Sequence, residues 1–452
     1  MSELSTSVYR DLRFLVIDDQ PVARQSLRLC AQNMGAFLVE FSVGYQDAIN
    51  RIRARTPDII LCDYDLGDGR SGQHLLEELR RMCILPDETV FMMVTAEQSY
   101  EQVVAAVELV PDDYVIKPFS PDRLQFRLDR VLQRKRFFQP LFRAKKKNNY
   151  ELATQFFEKH RKSEEGRPYR FELLRQQAEL ALNQGDSTTA HAAYTEILSL
   201  HPFPWAKAGL ARSLHCQHRF REARDMVDHV VEVSPMYFDA FDLKARICID
   251  MGDYEEAQKT VAETSQRTSR NYLRKRLLAD AALLNGDAAT ASATMADVVQ
   301  NDLMPGAISM ADRLMLVRSY IEAGDLMSAE QAINSITERS VETASLDDSA
   351  SYRSMRAMMT PNKDRTPFKA MCEAWLVMPL GTTARVDIVR AAFAMENTAL
   401  ASATTASLFA SDEIRRVFKL VRGIFEEHGL IAEFRELQRL AALQKIAASG
   451  KT

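Results

Sequence analysis

Four short apolar runs, each ending on a polar side chain, restrict what this chain can fold into more than any other feature. Phe14-Leu15-Val16-Ile17 runs into Asp18 and Asp19, and Ile59-Ile60-Leu61-Cys62 runs into Asp63. Val90-Phe91-Met92-Met93-Val94 ends at Thr95, and Tyr114-Val115-Ile116 at Lys117. Runs this short and this apolar read as strands buried on both faces, and the stretches between them carry helical spacing. Strand and helix in alternation predict a parallel sheet covered on both sides. Ligands of such sheets bind beyond the carboxyl ends of the strands, where all five polar residues fall. Three carboxylates, a hydroxyl and an ammonium at one edge suit a divalent cation and a phosphoryl group.

On these residues the chain resembles the receiver domain of two-component response regulators over 12–135. The motifs are the acidic pair of FLVIDD, Asp63 in IILCDYDLGDG, Thr95-Ala96 in MMVTA, and Lys117 in DDYVIKPF. The intervals match as well, with 44 residues from Asp19 to Asp63 and 22 from Thr95 to Lys117. The resemblance implies a flavodoxin-like, five-stranded parallel sheet of order 2-1-3-4-5. It implies Asp63 as acceptor of a phosphoryl group from a histidine kinase or phosphotransfer protein. Mg²⁺ would be held by Asp18, Asp19, Asp63 and the backbone carbonyl of Asp65. Mutual repulsion among the carboxylates, and the preference of Mg²⁺ for hard oxygen ligands, agree with that assignment. Thr95, Ala96 and Lys117 would bind the phosphoryl oxygens. Thr95 and Tyr114 would form the switch, Asp65 and Glu97 would tune the phosphorylated lifetime, and Lys117-Pro118 would be a cis peptide.

Local signals place the helices between the runs. Pro21 opens one that ends near Gly35, a second runs from Tyr45 to Arg55, and a third follows Ser71-Gly72. A fourth is expected over Tyr100–Leu109, and a fifth begins at Pro121. Phe37–Phe41 reads as the second strand.

The 452 residues allow two to four domains, and 46% apolar side chains suffice for cores in each. A net charge of −4 neither favours nor excludes a polyanionic partner. The six cysteines show no metal-ligand spacing, and no apolar run reaches the length of a membrane span. MSELSTSVYR lacks an apolar signal region, so a reduced, cytoplasmic protein is expected.

After Pro121 the helical pattern runs into Arg134-Lys135-Arg136, two phenylalanines, and Lys145-Lys146-Lys147, with Pro140 the expected boundary. Residues 136–148 form a basic linker behind an N-terminal tail, 1–11, and the receiver. The segment 134–147 could contact nucleic acid, but no base-reading helix pair follows it, which disfavours DNA or RNA as partner.

From 149 to 342 a period emerges. Ala190, Ala223, Ala257, Ala291 and Ala329 each follow a tight turn, at steps of 33, 34, 34 and 38 residues. A 34-residue helix–turn–helix unit resembles the tetratricopeptide repeat and implies an all-α solenoid whose concave groove recognises protein. Candidate groove residues on the first helices are Arg175, Lys207, Arg212, Lys244, Arg274 and Arg276, positioned to meet an acidic peptide or carboxylate terminus. Residues 343–452 read as degenerate repeats or a cap. A polar break is expected over Thr343–Ser351, with helices at 385–395, 412–427 and 431–447.

The combined reading is a cytoplasmic response regulator whose phosphorylation alters protein binding by the repeats, with a phosphorylation-dependent homodimer as a further partner. The receiver is expected to catalyse only its own phosphoryl transfer and dephosphorylation. Competing readings are a nucleic-acid regulator acting through 134–147, and an enzyme with an unrecognised output domain governed by the receiver.

Overall fold

The computed structural model describes residues 8–449 except 68–70, 82–83, 97–110, 236, 268–270, 301–307, 360–370, 372–373, 376–377 and 412–413. The chain divides into two compact units. One comprises Met1–Gln217 with His229–Tyr237, the other His218–Asp228 with Phe238–Thr452.

The first unit opens with strands β1 (Arg13–Ile17), β2 (Leu38–Ser42), β3 (Ile59–Asp63), β4 (Val90–Thr95) and β5 (Asp113–Ile116). All pair in parallel, in the order β2-β1-β3-β4-β5. Helices α1 (Pro21–Asn33), α2 (Tyr45–Ala54) and α3 (Gly72–Arg81) lie between them. The fully buried β3 and β4 are the most apolar runs, as expected of strands covered on both faces. Register then builds the site. Ile17 pairs with Cys62, Asp63 with Val94, and Thr95 with Ile116, so the four strand ends finish within about a residue of one another. The helix expected over Tyr100–Leu109 lies outside the described residues.

Helix α4 (Pro121–Lys146) starts on a Ser120 cap with Pro121 in its first turn. It does not stop at Pro140. That residue and Arg136, whose carbonyl loses its usual donor, both lie on the exposed side, so water can satisfy the freed group. Beyond it, Phe138, Leu141 and Phe142 pack with Phe156, Phe157 and Leu173 of α5 (Tyr150–His160) and α6 (Arg170–Asn183). The unit continues through α7 (Ser187–Leu200) and α8 (Pro204–Cys216). Helix α9 (Phe220–Val233) contributes to both units.

The second unit holds the hairpins α10 (Phe238–Met251) with α11 (Tyr254–Arg267), α12 (Tyr272–Asn285) with α13 (Ala288–Gln300), and α14 (Met310–Glu322) with α15 (Leu326–Asn334). First helices start at Arg170, Pro204, Phe238, Tyr272 and Met310, intervals of 34, 34, 34 and 38 residues. The second helices keep the small alanine at the crossing, and Ala190, Ala223, Ala257, Ala291 and Ala329 are all fully buried. After the short α16 (Glu338–Glu342) come α17 (Leu346–Met359), α18 (Thr382–Ala394), α19 (Thr398–Ala410), α20 (Ile414–Glu427) and α21 (Ile431–Ser449). The expected break over Thr343–Ser351 is half helix, because Asp347 and Asp348 suit the first turn of α17 and its Ala350, Tyr352 and Met355 are buried. Helix α19 was not expected at all. Its sequence, TALASATTASLFA, is small and weakly polar on every side and so lacks an amphipathic stripe. Helices α20 and α21 fold back on the unit, with Val417, Val421, Phe425 and Phe434 sharing one core with Ala245, Tyr254 and Leu277.

Candidate functional site

At the carboxyl end of the sheet Asp18 is fully buried and Asp63 and Thr95 are nearly so, while Asp19 is exposed. Carboxylate oxygens of Asp18, Asp19 and Asp63 lie within 4.8 Å of one another. Lys117 Nζ bridges two of them, 2.9 Å from Asp18 Oδ2 and 3.3 Å from Asp63 Oδ2. The Lys117–Pro118 bond is cis, and the Lys117 N–H donates to the Thr95 carbonyl at 2.7 Å.

Neighbouring backbone fixes the carboxylates. Asp18 Oδ1 accepts the Gln20 N–H at 2.8 Å, and Asp63 Oδ1 accepts the Tyr64 N–H at 2.9 Å. Asp65 is exposed, forms an isolated bridge with Ser71, and accepts the Gly67 N–H through its carboxylate at 3.0 Å. Gly67 has φ +72° and lies against Asp19, a place where a side chain would be strained. Gly72 packs closer still, since a Cβ there would stand 2.3 Å from the Asp63 carbonyl oxygen. Arg24, which the sequence reading missed, donates to the Asp18 carbonyl at 2.6 Å. Its only signal was its place in the first turn of the helix opened by Pro21.

Burial pushes the Asp63 carboxyl up to about 6, against the pull of Lys117 and with the push of Asp18. Burial acts against the charge of Lys117, yet its bonds to Asp18 and Asp63 hold its pKa above the ordinary value. Burial also raises the Cys62 thiol, which marks it as an inert core residue. Three hard carboxylate oxygens this close suit a small divalent cation, and the donor set fits Mg²⁺.

Ala96 is exposed beside Thr95, so the approach to Asp63 is not walled by a large side chain there. Tyr114 is half-buried, with Arg127 over its ring at 5.5 Å. Glu97 lies outside the described residues.

The basic segment after the receiver is largely engaged. Asp112, nearly buried, receives Arg134 at 2.6 Å, Lys135 at 2.8 Å and the Phe91 N–H at 2.8 Å. Arg134 also reaches Glu172 of α6 at 3.5 Å, and Lys145 joins Asp87 at 3.0 Å to Gln176 at 3.3 Å. The receiver and the first repeat are therefore tied by ions at the end of the sheet opposite Asp63. Burial raises the Glu172 carboxyl despite Arg134.

The candidate groove residues separate. Arg274 is buried and bidentate on Asp242, both bonds 2.8 Å, and Lys244 pairs with Asp228 and Glu256, each at 3.0 Å. Arg175 pairs with Glu179 at 2.8 Å and covers the Trp205 ring. Lys207 is half-buried and Arg212 exposed. Arg276 lies 3.4 Å from Asp312 and lines a cavity.

The family profile "Response regulator receiver domain" matches residues 14–129. With the strand order and the carboxylate–lysine cluster, this makes residues 14–129 a receiver domain, homologous to those of response regulators. A helical region resembling tetratricopeptide-repeat proteins follows it. The phosphate regulon transcriptional regulatory protein PhoB of Escherichia coli is 34% identical over 122 residues, which are 27% of this chain and 52% of PhoB. The chain thus spans about half the length of that relative. The structure is similar to the BeF3-activated DrrB receiver domain, at 25% identity and TM-score 0.24 over 27% of this chain and 97% of that one. A tetratricopeptide repeat protein from Parabacteroides merdae matches 60% of this chain and 98% of its own, at 14% identity and TM-score 0.41. No described helix is long and apolar enough to cross a membrane.

Proposed function

We propose that the chain is a response regulator that accepts a phosphoryl group on Asp63 and signals it through protein binding by its helical repeats. The observation that carries this is Lys117 bridging Asp18 and Asp63 beside the exposed Asp19. An Asp63 oxygen attacks the phosphorus of a phosphohistidine on a histidine kinase or phosphotransfer protein. The P–N bond breaks, its electron pair returns to the imidazole, and an acyl phosphate forms. Asp18, Asp19, Asp63 and the Asp65 carbonyl would hold Mg²⁺, which supplies positive charge to the transferring oxygens. Lys117 contributes a fixed ammonium, and Thr95 and Ala96 close the phosphoryl site, where preorganised donors are worth most. Tyr114 answers movement of Thr95, and Asp65 and Glu97 set the lifetime of the acyl phosphate.

The output reading is supported by the hairpin array and by α4, one helix running from just after Lys117 to the first repeat. A nucleic-acid role for 134–147 is weakened by the ion pairs that engage Arg134, Lys135 and Lys145.

Incubating the full chain with acetyl phosphate and Mg²⁺, then measuring intact mass, tests the acceptor. One hydroxylamine-labile phosphoryl group is expected, absent from Asp63→Ala. Equal labelling of that variant would refute the assignment.

A further inference from the structure

Within the second unit six helices close a ring. Helices α10, α12, α14, α17 and α18 pack in that order, and α20 returns from α18 to α10 and α12. The ring lines a cavity of about 460 Å³, within the range of small-ligand sites, which opens to solvent beside the exposed Arg246, Leu273 and Asp347. Every one of the six helices contributes a polar side chain to its wall.

Much of that polarity is already satisfied. Arg318 clamps Asp387 through Nε at 2.9 Å and a terminal nitrogen at 2.6 Å. Arg416 bonds Asp280, and Arg276 lies 3.4 Å from Asp312. Asp347 accepts the Gly381 N–H at 2.8 Å, at the start of α18. Four polar lining side chains have no hydrogen-bond or ion-pair partner among the described residues: Arg246 on α10, Asp348 and Ser351 on α17, and Thr383 on α18. Arg246 is exposed, Asp348 half-buried, and Ser351 only 4% exposed.

We propose that this cavity binds a small amphoteric ligand of amino-acid or short-peptide type. The unpaired charges are one cation and one anion, with two hydroxyls able to serve either role. A purely anionic ligand would meet Asp280, Asp347 and Asp348, and a purely cationic one would meet four arginines. A zwitterion satisfies both walls. Its carboxylate is received by Arg246, with the unused donors of Arg276 beside it, and its ammonium by Asp348. Ser351 bonds either group, and Leu277, Leu314 and Met315 cover an apolar side chain. This inference concerns the second unit alone and does not depend on phosphorylation of Asp63.

The test uses the full chain and isothermal titration with three probes: free leucine, the tripeptide Ala-Leu-Ala with free ends, and the same tripeptide acetylated and amidated. At least one free-ended probe binds, and leucine against tripeptide separates a free amino acid from a peptide source. Blocking both ends weakens binding by at least about tenfold, as loss of charge-assisted bonds requires. Arg246→Gln and Asp348→Asn each weaken it roughly tenfold. Neither side chain has a hydrogen-bond or ion-pair partner among the described residues, and Asp348→Asn loses only a small helix-end charge effect in the first turn of α17, so a melting temperature within a few degrees of the native chain's shows that the variants are intact. No binding of either free-ended probe overturns the proposal, as does equal affinity for the blocked tripeptide or for both variants.

Discussion

Acidification should release Mg²⁺ from the carboxylate cluster well before ordinary aspartates titrate. The metal-free Asp63 carboxyl has a pKa of about 6, against an ordinary 3.8, chiefly because it is buried. A cation is bound by the ionised form, so protonation competes with it. At a pH of about 5, roughly one Asp63 in ten is ionised, whereas an ordinary aspartate would be more than about nine-tenths ionised. Lowering pH from about 7.5 to about 5 should therefore weaken Mg²⁺ binding roughly tenfold, with close to one proton released per ion at the lower pH. The sign for stability is opposite. A raised folded-state pKa contributes stability that is fully present below about 4 and is lost as pH rises through about 6, at most about 3 kcal/mol for this shift. Without Mg²⁺ this group makes the fold more stable at the acid end of that window, and saturating Mg²⁺ removes the difference. Titration calorimetry in two buffers of different ionisation enthalpy reads both affinity and proton release, with Asp63→Asn as the variant that should lose the pH dependence. Constant affinity across the range, with no proton released, would refute the burial argument.

Three further outcomes follow from packing and charge. Asp112→Ala leaves Arg134 and Lys135 without their nearly buried partner and should cost roughly 3–5 kcal/mol in denaturant unfolding, whereas replacing exposed Arg136 should cost little. Gly72→Ala would place a Cβ 2.3 Å from the Asp63 carbonyl and 2.7 Å from Cys62 Sγ, displacing the strand end. Labelling by acetyl phosphate should fall sharply, with roughly 1–3 kcal/mol lost in stability. Arg318→Met strands the buried Asp387 charge and should lower stability by roughly 3–5 kcal/mol, and adding Asp387→Leu should recover most of it in the same denaturant unfolding measurement.

Much of this architecture was legible because its signals are local. Strand ends could be read from where apolar runs meet Asp18, Asp63, Thr95 and Lys117, and parallel pairing then brings those ends together. The hairpin period was equally plain, because a fully buried alanine recurs where each pair of helices crosses. Partnerships across long separations were not legible. Arg134 and Lys145 looked like a free basic segment because Asp112, Glu172 and Asp87 are distant in sequence. The ion pairs of Lys244 with Asp228 and Glu256, and of Arg274 with Asp242, were no more visible in the sequence. The ring closed by α20 rests on tertiary contacts that no helical period encodes, and α19 offered no stripe to read.

In the proposed function, phosphorylation of Asp63 changes what the repeats bind. The most direct measurement is affinity capture from cytosolic extract by the full chain, with and without Mg²⁺ and beryllofluoride, alongside Asp63→Ala. A partner whose recovery rises or falls with beryllofluoride for the native chain, and stays constant for Asp63→Ala, is the predicted result. The same partners at the same recovery in every condition would contradict it and make the repeats a constitutive binding surface.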